Sequence, residues 1–165
     1  MSAYLAQIGN EEASTPVPPP ATGSGLFAQY YNNKTLTGTP WLTRIQYVNY
    51  DWGTNIPGTG MNKDNFSIRW SGDVKTSAAG GYRFRTVSDD GVRLWVNGVL
   101  VIDNWTTHGA TTNTSNTITL AANTRYTIKM EYFEQTGSAV AKLQWRLPNT
   151  TTYVTIPAAS LFSNQ

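Results

Sequence analysis

The sequence has no cysteine, so neither a disulfide framework nor a thiolate metal site is open to it. Charge is scarce as well. Asp, Glu, Lys and Arg make up 13% of the residues, about half the ~25% usual in soluble domains. The net charge of +2 is too small to argue for nucleic acid, and the Lys and Arg residues are scattered, with no run that would neutralise successive phosphates. No apolar stretch approaches the ~18 residues of a membrane span, which speaks against insertion into a bilayer. Met1 to Ser14 carry neither the basic start nor the apolar stretch of an export signal. Taken with an abundance of Thr, Asn and Gly, this leads us to expect a piece excised from a larger exported protein that works outside the cell or on its surface.

What the chain does have is enough apolar material for one core. Hydrophobic residues make up 39% of its 165 residues, with six Trp and nine Tyr, which suits a single domain. Residues 15–25 read TPVPPPATGSG, the composition of an inter-module linker: Pro fixes φ and cannot donate to a ladder, and the Ser/Gly end is flexible. The expected organisation is therefore an upstream remnant or tail over 1–14, the linker over 15–25 and a folded domain over 26–165. Nothing requires more than a monomeric module.

From Leu26 onward the hydrophobic period is two. Phe66, Ile68 and Trp70 alternate with Ser67 and Arg69, and Tyr82 and Phe84 with Arg83 and Arg85. Tyr126, Ile128, Met130 and Tyr132 alternate with Thr127, Lys129 and Glu131, and Leu143 and Trp145 with Lys142, Gln144 and Arg146. Such strands bury one face and wet the other, which is the antiparallel pattern. Asn97-Gly98 sits between two apolar runs and is the pair a type I′ hairpin prefers. With no long helical pattern, and only a helical turn over Pro157 to Leu161, the fold class is all-β: an antiparallel β-sandwich.

The segment most suggestive of chemistry is Ser88-Asp89-Asp90-Gly91, just ahead of that hairpin. Two adjacent carboxylates repel, and a divalent cation removes that cost by using both as hard oxygen ligands. The alternative is that Asp90-Gly91 is a turn and Asp89 a solvated neighbour. Asp103, in Asp103-Asn104-Trp105, reads as a turn cap that accepts backbone N–H groups.

A series of segments, in order, resembles the protective-antigen-type (PA-fourteen) domain family, found in adhesins and glycosidases. They are Gly25-Leu26-Phe27-Ala28-Gln29-Tyr30-Tyr31, Phe66-Ser67-Ile68-Arg69-Trp70-Ser71-Gly72, Gly81-Tyr82-Arg83-Phe84, Ser88-Asp89-Asp90-Gly91, Val101-Ile102-Asp103-Asn104-Trp105, and Tyr132-Phe133-Glu134 leading to Leu143-Gln144-Trp145. The resemblance covers about Gly25 to Phe162. It implies a lectin-like sandwich that binds carbohydrate through a calcium ion, with Asp89 and Asp90 joined by a cis peptide bond and ligating the metal. It also implies a second loop that completes the site, which falls here on Glu134, Thr136 and Ser138. Those adhesins carry an Asn where this chain has Glu134, so a third carboxylate should strengthen metal binding and their sugar preferences do not carry over. Alternatively, Glu134 faces solvent in a Glu-Gln-Thr-Gly turn.

Sugars also stack on aromatic rings. Trp95 and Phe133 have outward parity, and Trp105 follows the hairpin strand on the loop side. The expected carbohydrate contacts are Asp89, Asp90, Glu134, Gln135, Trp105, Trp95 and His108, with Trp105 favoured among the rings and His108 also readable as an exposed loop residue. A glycosidase would need two carboxylates about 5–10 Å apart across a scissile bond, which the neighbours Asp89 and Asp90 cannot supply; Asp90 with Glu134 could come within reach, but no nucleophile elbow or catalytic His accompanies them. The expectation is therefore a calcium-dependent carbohydrate-binding module and not an enzyme. The competing reading is a structural or protein-interaction spacer without metal.

Overall fold

The computed structural model describes residues 22–164 of the chain. The expected tail over 1–14 and the linker's residues 15–21 lie outside the described residues. The end of the expected linker is tied to the domain, because the Gly23 and Gly25 N–H groups donate to the Ala159 carbonyl at 2.8 Å and the Leu161 carbonyl at 3.1 Å.

Among the described residues the strands are β1 Leu26–Tyr31, β2 Leu42–Gln46, β3 Asn49–Gly53, β4 Phe66–Lys75, β5 Gly80–Asp89, β6 Val92–Val96, β7 Val99–Asn104, β8 Thr111–Thr114, β9 Ile118–Leu120, β10 Arg125–Glu134, β11 Ala139–Arg146, β12 Val154–Thr155 and β13 Leu161–Ser163. The turn expected near the end is a 3-10 helix over Ala158–Ser160. The first sheet runs β2-β1-β4-β10-β6-β7, with β13 also on β4; the second runs β12-β11-β5-β8, with β3 on β11 and β9 on β5. Each described pairing is antiparallel, as the period-two reading requires.

The two inner faces meet in an aromatic core. Trp70, Phe66, Met130, Tyr132 and Leu94 come from the first sheet, and Tyr82, Phe84, Leu143 and Trp145 from the second. Tyr132 lies 6.3 Å from Trp70 and 6.0 Å from Phe66 between ring centroids, and Tyr82 lies 5.4 Å from Trp145. These are tilted and edge contacts of the kind that favour a unique packing. The Asn97-Gly98 hairpin forms as expected, with positive φ at both residues (52° and 78°).

Three features of this frame set up the site. Strand β10 is central, paired with β4 along its whole length and with β6 over Ile128 to Tyr132. Its alternation turns Ile128, Met130 and Tyr132 into the core and carries Glu134 to the same face. The chain also crosses from the second sheet to the first at Asp89-Asp90, between the end of β5 and the start of β6, and that peptide bond is cis. The crossing is stitched to the end of β10: Asp90 N–H donates to the Phe133 carbonyl at 3.2 Å, and Phe133 N–H to the Gly91 carbonyl at 3.0 Å. The Tyr132 hydroxyl donates to the Asp89 carbonyl at 2.6 Å.

Gly91 has no room for a side chain, because the Phe133 ring occupies the place of a Cβ. Gly91→Ala should therefore lower stability by about 1–3 kcal/mol, the usual cost of forcing extra volume into packed surroundings. Urea unfolding measures this, and pairing the change with Phe133→Leu should recover part of the loss.

Candidate functional site

The loop ends of β5 and β10 bring the carboxylates of Asp89, Asp90 and Glu134 together, with one oxygen from each lying within 4.8 Å of the others. Glu134 is fully buried and Asp90 is 3% exposed, which replaces the solvent-facing alternative for Glu134. Neither Glu134 carboxylate oxygen has a hydrogen-bond partner. Burial, contact with the Asp90 carboxylate and the charges of Asp90 and Asp89 push the Glu134 carboxyl up to about 9. Asp89 is also raised, first by burial and then by Asp90, with His108 opposing the shift. A buried carboxylate beside two others avoids its charge by holding a proton; a hard cation removes the same penalty while leaving all three ionised.

Asp90 is oriented by two backbone donors from different loops. His108 N–H reaches its Oδ1 at 3.1 Å, and Gln135 N–H reaches its Oδ2 at 2.7 Å. The loop after β7 therefore does fold back onto the Asp-Asp end. The β10–β11 loop is pinned from a third side: Asn65 N–H donates to the Gln135 carbonyl at 2.9 Å, and Gly137 N–H donates to Asp64 Oδ1 at 3.1 Å. Thr136 and Ser138 stand exposed on this pinned loop. Asp64, whose charge also acts on Glu134, has no sequence signal that ties it to Glu134, because the two meet only through loop packing.

The other expected contacts lie at different distances from the carboxylates. Trp105 lines a groove of about 260 Å³ beside the carboxylates, together with Lys34, Thr35, Thr107, Phe133 and Gln135. Its ring meets Phe133 edge-on at 4.8 Å, and the Arg93 guanidinium lies 3.8 Å from its centroid. Phe133 has outward parity but is only 7% exposed, since Gly91 and Trp105 cover it. The Gln135 amide oxygen accepts from Lys34 Nζ at 3.3 Å and Thr107 Oγ1 at 3.1 Å, so it ties two groove walls together. His108 is half-buried; its Nδ1 lies 2.7 Å from the Gly109 carbonyl, and its Nε2 is buried without a partner.

Two expectations need correcting. Trp95 is not at the carboxylates: the β6–β10 register sets it opposite Lys129, five residues back from Glu134, or roughly 16 Å along the strand. It faces outward there, with Lys129 Nζ 4.2 Å from its ring centroid. Asp103 does not cap a turn. It lies exposed on β7 opposite Arg93, and the polar bonding at the strand end comes from Asn104, whose Oδ1 accepts from Thr106 Oγ1 at 2.8 Å.

A two-sheet antiparallel sandwich with a polar, loop-built site at one end, set around an Asp-Asp crossing, defines a recognisable class of β-sandwich domain. The chain belongs to the PA14 domain family, whose model matches residues 22–158. The anti-sigma-I factor RsgI3 of Acetivibrio thermocellus is 41% identical over 141 residues, which is 86% of this chain and 22% of that protein's length. A solved anti-sigma factor domain-containing protein superposes with a TM-score of 0.81 at 39% identity, covering 86% of this chain and 49% of the other. A PA14 sugar-binding domain from an RTX adhesin shares the fold, with a TM-score of 0.67 at 21% identity over 86% of this chain and 99% of that one. The chain thus spans about a fifth of the curated relative and about half of the solved anti-sigma chain.

The raised Glu134 carboxyl fixes a pH dependence. In the metal-free fold the proton is held up to about 9, whereas the unfolded chain releases it near the ordinary value of 4.5. The contribution to stability is thus fully present below about 4.5 and is lost as pH rises towards 9. The melting temperature of chelator-treated protein should fall across this window, and Glu134→Gln should flatten the fall. A melting temperature that rises with pH through the same window in wild-type protein would contradict the assignment.

Proposed function

We propose that this domain is a carbohydrate-binding module of a longer extracellular protein, non-catalytic, and that it binds its ligand through a calcium ion held by Asp89, Asp90 and Glu134. The observation that carries the reading is the buried Glu134 carboxylate, with both oxygens unpartnered and two further carboxylates beside it. That donor set is all-oxygen and anionic, which suits a hard divalent cation. When bound, calcium supplies a centre that accepts hydroxyl oxygens, so that vicinal hydroxyls of a sugar complete its shell.

The chain's own residues provide the rest. Backbone donors from His108 and Gln135 hold Asp90 in a single orientation. The pinned β10–β11 loop offers the Thr136 and Ser138 carbonyls that the family resemblance assigns to the metal. Trp105 gives the adjoining groove an apolar wall, and the Lys34 and Thr107 side chains stand at its polar edge. Retaining or inverting hydrolysis needs two carboxyl groups on opposite sides of a bond, with room for sugar or water between them. Here the three carboxylates converge on one point and Glu134 is sealed from solvent, which supports a binding role.

The identity to an anti-sigma factor is higher than that to a sugar-binding domain (41% against 21%), and this favours one competing role: an interaction or spacer module of a regulatory protein. The two roles separate on calcium. Calorimetry at pH 7 in two buffers of different ionisation enthalpy should show saturable calcium binding with release of about one proton per ion, because Glu134 must give up its proton to ligate. Glycan-array signals should disappear with EDTA and in the Asp89→Ala/Asp90→Ala variant, while its far-UV spectrum stays that of a β-sandwich. Absence of calcium uptake would sink the lectin reading and leave the spacer role.

A further inference from the structure

The outer face of the second sheet gathers cations that are scattered in the sequence. Along β5 the outward residues are Arg83, Arg85, Val87 and, at the strand end, Asp89; along β11 they are Val140, Lys142, Gln144 and Arg146. The register pairs Arg83 directly with Arg146, Arg85 with Gln144, and Val87 with Lys142. Like charges set directly opposite on an antiparallel pair destabilise it. Among the described residues, no carboxylate lies within ion-pairing distance of any of these four cations.

The arginines are nevertheless held in place. Arg85 Nε donates to Gln144 Oε1 at 2.8 Å, and Arg83 Nε to the Ser115 carbonyl at 3.1 Å. The Tyr153 ring lies 4.1 Å from the Arg85 guanidinium carbon and 5.8 Å from that of Arg146. Arg146 Nε is buried without a hydrogen-bond partner. The first sheet differs: there Glu131 stands between Arg69 and Arg93 in the register and bonds each at 2.8 Å, which offsets part of their charge. On the second sheet an anion from outside the chain would fill that role.

We propose that this face binds the carboxylates of an acidic, uronic-acid-containing polysaccharide, with Arg83 and Arg146 as the principal contacts and Arg85 and Lys142 beside them. The guanidinium fork matches a planar carboxylate in two parallel bonds. The cations share the face with hydroxyl and amide side chains suited to sugar hydroxyls, since Thr114 and Thr155 flank the Arg85–Gln144 row. The same two strands lead from this row to Asp89 and Val140, at the carboxylate end. One extended chain can thus reach both regions. Four positive charges are few for a nucleic acid, whose affinity grows with each phosphate neutralised. The proposal rests on the carbohydrate-binding reading but places its contacts away from the metal.

The test is affinity electrophoresis in EDTA with soluble alginate as the polyuronate, hydroxyethylcellulose as a neutral polymer and a single-stranded oligonucleotide as the competing polyanion. Alginate should retard the wild-type domain, with affinity falling about tenfold or more when salt is raised from about 50 to about 300 mM. Arg83→Gln/Arg146→Gln should lose about tenfold in alginate affinity without a fall in melting temperature, because it removes a repulsive pair. Arg146→Lys, which keeps the charge and loses the fork, should fall between. Wild-type behaviour of the double variant overturns the proposal, as does absence of alginate retardation or equal retardation by the oligonucleotide. The Asp89→Ala/Asp90→Ala variant separates the two readings: it should keep the EDTA-resistant alginate binding even though calcium-dependent glycan binding is gone.

Discussion

The alternation of strand β10 is the constraint from which the rest of the site follows. A strand in the middle of a sheet cannot slip by one residue without turning its whole buried set to solvent. Ile128, Met130 and Tyr132 fix which face of β10 is inward, and Glu134 inherits that face. The carboxylate is therefore held in the core-facing row by a large aromatic and aliphatic cluster that would be lost if it moved out. Its cost is met locally by a proton held on the Glu134 carboxyl.

That placement would do little alone. The opposing carboxylates arrive because the chain changes sheets at the same end, and the change is anchored to β10 by the Asp90 and Phe133 backbone bonds and the Tyr132 hydroxyl. Gly91 makes the crossing possible by leaving space for Phe133. Phe133 in turn supports Trp105, so the same strand that buries the acid also builds one wall of the neighbouring groove. Core packing, the sheet crossing and the groove are coupled through three consecutive residues of β10. Substitutions at Tyr132 or Phe133 should consequently affect the site and the stability together, whereas Thr136 and Ser138 on the exposed loop can change with little effect on the fold.

The alternating strands were readable because each follows a two-residue period with large inward side chains, and the Asn97-Gly98 hairpin because positive φ at two positions selects so few residues. Strand β8, Thr-Thr-Asn-Thr, was not readable: it pairs with β5 but carries no apolar row. The Asp-Asp pair was conspicuous as a local feature, and the family resemblance linked it to Glu134. Parity was misleading for two aromatics. It placed Trp95 and Phe133 outward correctly, but it says nothing about distance along the strand, and so joined Trp95 to a site it does not reach. It says nothing of loops folding over a ring either, and they bury Phe133. Asp64, Lys34 and Thr107 enter from loops far apart in the chain, and no periodicity connects them.

Scarcity of charge gives the remaining distribution its meaning. Three carboxylates are concentrated at one end, Glu131 is committed to two arginines, Asp64 accepts the Gly137 N–H of the β10–β11 loop, and Asp51 accepts that of Gly53. None of these reaches Arg83, Arg85, Lys142 or Arg146. The second sheet consequently carries cations over one stretch of its outer face, with Asp89 at the far end of β5 and Asp51 beside it on β3, opposite Val140. A chain with only a small net charge thus presents a polarised face. On the opposite sheet a single buried Glu sits between two arginines and offsets part of their charge. Among the described residues no carboxylate pairs with the four cations of the β5–β11 face, and their positive charge stays available to a ligand.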